Sequence, residues 1–294
     1  MDVQTPAPFD YARASSLEHA LELLDRHGPD ARVVAGGHSL LPMLKLRVAY
    51  VDWLVDINDL RDLDYVRVDG DAIAIGALTR HATLLESPLL AEHYRIFADA
   101  ERVIADPVVR NRGTIGGSLC QADPSEDLAA VCSALRAEMV LRSAEGTRRV
   151  PAREFHQGPY ETACRPAEIL TEVRVPIRAG WVGSAYRKVE RRAGDWPVAA
   201  AGAFVQVDGD TVTDVGIGLT AVGAPHFCAP EAEERLRGGS AGDGELTAAA
   251  ELAAEASNPQ TDQRGPADYK RHLARELTLR SLRRAVARAR GQGG

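Results

Sequence analysis

The sequence predicts an α+β protein built as two successive domains. Three observations carry that prediction. The chain has 294 residues, more than a single domain usually holds. Its first part alternates helix-like and strand-like patterns around two glycine-rich segments. Its last part reads as strands followed by helices, the order expected of a separate α+β domain.

Taken in order, Ser15-x-x-Glu18 reads as a capping box, and Leu17, Ala20, Leu21 and Leu24 follow at helical spacing until Gly28-Pro29 stops the helix. The apolar run Arg32-Val33-Val34-Ala35 reads as a buried strand that leads into the first glycine loop. Trp53 to Ile57 reads as the next strand. Tyr65 to Val68 and Ala72 to Ile75 flank Asp69-Gly70-Asp71 as a hairpin. From about Thr79 to Ala105 the apolar spacing is helical. Asp123-Pro124 then reads as a helix start, with Asp123 as N-cap and Leu128, Val131, Cys132 and Leu135 on one face. Strands follow near Met139 to Arg142 and Ile169 to Val175, and Pro176 closes the first domain. Beyond it, Val198 to Val207 and Thr211 to Leu219 are strands around Asp208-Gly209-Asp210, and helical patterns fill the chain from about Glu231. The last of them, Asp268 to Arg290, is rich in arginine, which a solvated helix face or a contact with a partner subunit would each explain.

Composition narrows the function. A 45% hydrophobic content is enough for full cores, and a net charge of −7 argues against a nucleic-acid binder relying on a general basic surface. The N-terminus shows no charged segment followed by an apolar one, and no stretch approaches the roughly 18 apolar residues of a membrane span. The expectation is a cytoplasmic protein, neither exported nor inserted in a membrane. Cys120, Cys132, Cys164 and Cys228 have neither C-x-x-C nor zinc spacing, so they read as reduced thiols that hold no metal and no iron–sulfur cluster. Phosphate-loop, zinc-protease and serine-hydrolase motifs are missing. Gly216-x-Gly218-x-x-Ala221 matches a relaxed dinucleotide fingerprint, but its glycines fall inside a strand-like segment with no helix after it, so no NAD site is read there.

The chemistry therefore rests on the two glycine segments, Ala35-Gly36-Gly37-His38-Ser39-Leu40 and Thr114-Ile115-Gly116-Gly117-Ser118. A glycine pair permits φ > 0 and removes the Cβ atoms that keep a ligand off the main chain. Successive N–H groups can then converge on phosphate oxygens, and Ser39, Thr114 and Ser118 add hydroxyl donors. A double glycine alone more often marks an ordinary turn than a ligand site. Together they look like a diphosphate cradle, each segment exposing several amides.

Four stretches carry a resemblance. They are Val34 to Arg47; Arg110-Asn111-Arg112-Gly113 with T-I-G-G-S, Ala122-Asp123-Pro124 and Asp127; Tyr186-x-Lys188 with Arg191-Arg192-x-Gly194-Asp195-Trp196; and Asp262-x-Arg264-Gly265 with Tyr269 and Arg271. Over nearly its whole length the chain resembles the FAD-binding medium subunit of molybdenum hydroxylases, the carbon monoxide dehydrogenase and xanthine dehydrogenase family. The resemblance implies a two-lobed FAD-binding domain of the vanillyl-alcohol-oxidase (PCMH) type over residues 1–178. A C-terminal domain of the carbon monoxide dehydrogenase flavoprotein type, an antiparallel sheet plus helices, would occupy 179–294. It further implies an oxidoreductase in which FAD on this chain passes electrons from the two [2Fe–2S] clusters of a small subunit to an external acceptor. A large molybdopterin subunit would hydroxylate the substrate, and the assembly would be a dimer of heterotrimers.

Carried over position by position, the resemblance implies cofactor contacts at Ala35, Gly36, Gly37, His38, Ser39, Leu40, Ala105, Thr114, Ile115, Gly116, Gly117, Ser118 and Asp127, with Lys188 and Trp196 near the isoalloxazine ring. It implies no catalytic side chain. Plainer readings stand beside several of these. Asp127 suits the first turn of a helix without any ligand, Lys188 suits a surface salt bridge, Trp196 suits a domain interface, and His38 suits a hydrogen bond that orders its own loop. Asp106-Pro107 and Arg110-Asn111 would shape the second loop. Two rival functions remain at this stage. One is a stand-alone FAD-dependent oxidase or reductase, with Tyr160, Glu190 or Asp195 as acid or base, and the other is a structural subunit without cofactor.

Overall fold

The computed structural model describes residues 5–292. The first four residues of the N-terminus, in which no export signal is read, lie outside the described residues. β1 (Asp10–Arg13), α1 (Leu17–His27), β2 (Ala31–Val34), α2 (Leu40–Lys45) and β3 (Trp53–Asp56) make a first lobe, its parallel sheet ordered β1-β3-β2. The apolar positions of α1 (Ala20, Leu21, Leu24) pack on Val55 and Ile57. Ser16 is the N-cap, its hydroxyl accepting from His19 N at 3.1 Å. The box read from Ser15 is therefore displaced by one residue, which leaves Glu18 too early in the first turn to reach back. Gly28, at φ 64°, ends the helix.

The second lobe follows with β4 (Val66–Asp69), β5 (Ala72–Gly76), α3 (His81–Glu86), α4 (Pro88–His93), α5 (Ile96–Glu101), α6 (Pro107–Arg110), α7 (Ile115–Gln121), α8 (Asp127–Leu135), β6 (Glu138–Ser143), β7 (Gly146–Pro151), α9 (Ala152–Phe155), β8 (His156–Gly158), β9 (Glu161–Thr162) and β10 (Ile169–Pro176). Its main sheet is antiparallel, ordered β4-β5-β10-β6-β7. The helical stretch expected from Thr79 is broken into short pieces, because Pro88 restarts the chain under a Ser87 cap and Tyr94 leaves helical geometry at φ −144°. Asp123 caps no helix. Its carboxylate accepts from Ser125 N at 2.8 Å in a local turn, and α8 starts only at Asp127. The second glycine segment is itself the first turn of α7, capped by Thr114.

β11 (Trp181–Glu190), β12 (Pro197–Asp208) and β13 (Thr211–Thr220) form a further antiparallel sheet, followed by α10 (Pro230–Leu236), α11 (Asp243–Glu255) and α12 (Ala267–Ala289). Helix α12 lies on one face, where Gly183 leaves room for the Ala285 carbonyl; α8 lies on the other, where Gly216 and Gly218 leave room for the carbonyls of Ala134 and Ala130. The dinucleotide-like glycines are thus helix-packing positions. Helix α8, held between two sheets, is buried on every side, so its expected single apolar face was too narrow a reading. A single core consequently runs from Ile73 and Ile75 of the second lobe to Tyr186, Ala200 and Phe204 of the last sheet. Arg288 of α12 turns inward to Asp99 of α5 at 2.5 Å, while Arg283 pairs with exposed Asp243. One arginine of that helix is therefore an internal tie rather than part of a solvated face.

Candidate functional site

Where the two lobes and the C-terminal sheet meet, they enclose a cleft of about 640 Å³. The first glycine loop forms one wall. It leaves β2 at Val34 and enters α2 at Leu40, with Gly37 at φ 82°. Among the described residues, the backbone N–H groups from Gly36 through Leu40 donate to no acceptor within the chain, and all of these residues line the cleft. Ser39 occupies the N-cap position of α2 without a capping bond from its hydroxyl. The hydrogen bond expected of His38 is not found among the described residues; the loop is ordered instead by Asn58, whose amide donates to the Ala35 carbonyl. Asn58 also accepts from Arg80 Nη2 at 3.1 Å, and Arg80 Nη1 donates to the Arg112 carbonyl, so one pair of side chains braces both loops. Gly36 has no Cβ for a related reason, since one would lie 2.7 Å from Gly113 Cα.

The second loop is built differently from expectation. Its amides from Ile115 onward are already taken: Ile115 N donates to Thr79 O (3.0 Å), Gly116 N to Ala77 O (2.9 Å), Gly117 N to Thr114 Oγ1 (3.1 Å) and Ser118 N to Thr114 O (3.0 Å). The chain just after β5 and the Thr114 cap consume the donors that an anion would need. What the segment offers the cleft is the bare Cα of Gly117, beside which an added Cβ would meet only Thr114 Oγ1, and the Ser118 hydroxyl. Gly116 packs against Ala77, and Ile115 is fully buried in the core and lines nothing. Thr114 is almost fully buried and serves the cap.

Behind Ser118 stand groups that no sequence pattern marks. Ser118 Oγ is 3.1 Å from His81 Nε2, and His81 Nδ1 is 3.0 and 3.1 Å from the two oxygens of Glu101. Burial opposes charge on His81, but Glu101, with Glu126 and Asp127 behind it, outweighs burial and holds the imidazole pKa above its usual value. Glu126 also lines the cleft, and burial pushes its carboxyl up to about 7.

Asp127 opens α8 and is bound from the C-terminal sheet, accepting from Tyr186 Oη at 2.6 Å and from Lys188 Nζ at 3.0 Å. Burial pushes its carboxyl up against the pull of those two donors. Lys188 is the reverse of a surface residue. Its side chain is 1% exposed, and its ammonium also donates to Val103 O (2.9 Å) and faces Glu190 at 3.4 Å. Ala105, at φ 49°, is pinned through its carbonyl by Arg110 at 3.1 Å, and Gly194 lies so close that a Cβ there would come within 2.5 Å of that carbonyl. Asp106 caps α6 through Val109 N at 2.8 Å, so this segment does shape the approach to the second loop. Trp196 sits on the rim, 39% exposed. The stand-alone acid or base candidates have internal partners: Tyr160 donates to Asp123 at 3.0 Å, Glu190 accepts from Gly194 N at 3.1 Å, and Asp195 accepts from Trp196 N at 2.8 Å.

The cleft thus collects both glycine loops, Ala105, Asp127, Lys188 and Trp196, leaving out Ile115. Asn58, Arg80, His81, Glu101 and Tyr186, which order these residues from behind, were not singled out as site residues from the sequence. Their roles depend on contacts between residues far apart in the chain.

Residues 7–178 match the family described as FAD binding domain in molybdopterin dehydrogenase, and residues 184–285 match the CO dehydrogenase flavoprotein C-terminal domain. The carbon monoxide dehydrogenase medium chain of Afipia carboxidovorans is 40% identical, the alignment covering 97% of this chain and 99% of that one. The glyceraldehyde dehydrogenase medium chain of Sulfolobus acidocaldarius is 37% identical over 95% and 98%. Among solved structures, the carbon monoxide dehydrogenase of Hydrogenophaga pseudoflava that lacks the Mo-pyranopterin moiety superposes with a TM-score of 0.93 at 40% identity, covering 97% of this chain and 99% of that one.

Proposed function

Because this chain belongs to the family of FAD-binding domains of molybdopterin dehydrogenases, an oxidoreductase family, we propose that it is the FAD-binding electron-transfer subunit of a heterotrimeric molybdenum hydroxylase. Its partners in this reading are a large molybdopterin subunit and a small subunit with [2Fe–2S] clusters, assembled as a dimer of heterotrimers in the cytoplasm. Bound FAD supplies the redox chemistry at its isoalloxazine ring, between the partner's clusters and an external acceptor. The division proposed is 1–178 for the FAD-binding domain and 179–294 for the C-terminal domain. Relatives named for carbon monoxide and for glyceraldehyde support a substrate chosen outside this subunit.

The observation that carries the site assignment is the run of uncommitted amides from Gly36 to Leu40 on the cleft wall. Such a run suits the oxygens of a diphosphate. Ser39 and Ser118 add hydroxyls, and the bare Cα of Gly117 admits the ligand's approach. Asp127 would accept from a ribose hydroxyl while held by Tyr186 and Lys188. Ala105, Lys188 and Trp196 would flank the isoalloxazine end, with the Trp196 ring positioned to shield it.

Affinity purification of the chain from its native host, with a flavin spectrum and metal analysis of what accompanies it, tests the reading. Stoichiometric FAD together with molybdenum, iron and two further polypeptides is the expected result. FAD on a lone chain would overturn the subunit assignment and favour an independent flavoenzyme.

A further inference from the structure

We infer that His81, anchored by Glu101, is a positioning residue that turns the Ser118 hydroxyl into a proton donor toward the cleft, so that binding of a diphosphate there is linked to protonation of His81. The inference rests on the reading that the cofactor diphosphate lies between the two glycine loops. It adds the buried partner that decides what Ser118 presents.

The argument is one of donor counting. Glu101 has no exposed side-chain surface, and among the described residues its carboxylate hydrogen-bonds only to His81 Nδ1. Burial raises the Glu101 carboxyl against the pull of His81, and where that carboxyl is ionised it can only accept, so Nδ1 carries a proton and the state of Nε2, 3.1 Å from Ser118 Oγ, is the variable. If the ring is neutral, Nε2 is an acceptor and takes the Ser118 proton. The hydroxyl then turns inward and shows an oxygen lone pair to the cleft. If the ring is an imidazolium, Nε2–H donates to Oγ and the serine proton is released toward the cleft. A diphosphate favours the second arrangement, and a charge-assisted donor is the stronger one. By linkage, whatever favours the imidazolium when the anion binds must favour the anion when His81 is protonated. The other charged groups around the ring are Glu126 and Asp127 from the start of α8, with Arg110 of α6 acting on Glu101. Burial opposes charge on the ring, but their negative charge and that of Glu101 raise the His81 pKa above its ordinary value.

The test uses the full chain, stripped of flavin and titrated with FAD between pH 6 and pH 9, with flavin fluorescence as readout. Wild-type affinity is expected to fall toward alkaline pH by up to about tenfold per pH unit, the limit for one linked proton. S118A leaves the His81–Glu101 pair intact. It is expected to bind roughly tenfold or more weakly and to lose that slope. Glu126→Gln is expected to keep a slope, moved to lower pH by the loss of that charge, whereas a flat profile would assign the effect to the Glu126 carboxyl instead. An unchanged slope in S118A overturns the inference. Gly117→Val reports on the underlying reading. Loss of FAD there, together with an unchanged slope in S118A, sinks only the relay, whereas wild-type affinity in both variants sinks the placement of the diphosphate.

Discussion

Gly116 and Gly117 are adjacent and chemically identical, yet they answer to different demands. An added Cβ at Gly116 would meet Ala77 Cβ and O at 2.7 Å, inside a packed wall, while at Gly117 its one close neighbour would be the side-chain atom Thr114 Oγ1 at 2.9 Å, which must give way. Gly116→Val is therefore expected to lower the melting temperature strongly, with overpacking of about 1–3 kcal/mol or more. Gly117→Val is expected to fold and to lose FAD. Thermal melts alongside flavin absorbance separate the two, and a flavin-loaded Gly117→Val protein would refute the cradle. Glu126 gives a second prediction at this scale. Its carboxyl, pushed by burial from 4.5 to about 7, favours the folded state while protonated, so its contribution is full below pH 4.5 and is lost as pH rises through 7. Its ionisation costs roughly 3 kcal/mol. In the flavin-free chain, Glu126→Gln should melt near wild type at pH 4.5 and several degrees higher at pH 8; equal differences at the two pH values would refute the burial effect.

Elements are placed by contacts that single residues permit. Helix α8 can lie on the last sheet only because Gly216 and Gly218 present no Cβ to the carbonyls of Ala134 and Ala130. Gly218→Val is expected to cost several kcal/mol, since a backbone carbonyl cannot swing aside as a side chain can. Denaturant unfolding would measure it, and a loss under about 1 kcal/mol would contradict the packing role. The same glycines show what the sequence could reveal. Their failure to fit a nucleotide site was legible, because no helix follows them; their packing role was not, because the partner helix lies far away in the chain. The glycine loops were legible as a pair through their spacing and through the strand that precedes the first. That the second loop's amides from Ile115 to Ser118 are consumed by Thr79, Ala77 and Thr114 was not, because nothing local announces that pairing. β11, Trp181–Glu190, likewise carries Tyr186 and Lys188 to Asp127 across the core, so a lysine with a surface composition proved buried.

The molecule as a whole is less divisible than its two-part sequence pattern implies. The core of the second lobe includes Tyr186, Ala200 and Phe204, and the chief partners of Asp127 are Tyr186 and Lys188 from the far side of Pro176. A chain ending at residue 178 would keep both glycine loops but expose one full side of α8, with Asp127 stripped of both donors. It would also lose the tie from Arg288 to Asp99. Exposed apolar surface and an unpaired half-buried carboxylate each destabilise, and together they exceed the few kcal/mol by which a domain is usually stable. The expected outcome is a 1–178 fragment without a cooperative melt, with dye-binding apolar surface and no retained FAD. Adding residues 179–294 as a second polypeptide should restore both properties in part, because the missing contacts are packing and hydrogen bonds rather than chain connectivity. A fragment that melts cooperatively and holds FAD as the full chain does would show that the last sheet only flanks the site. The closeness of Gly194 to the Ala105 carbonyl at the rim argues for the opposite, since the cleft wall there is made by the two parts in direct contact.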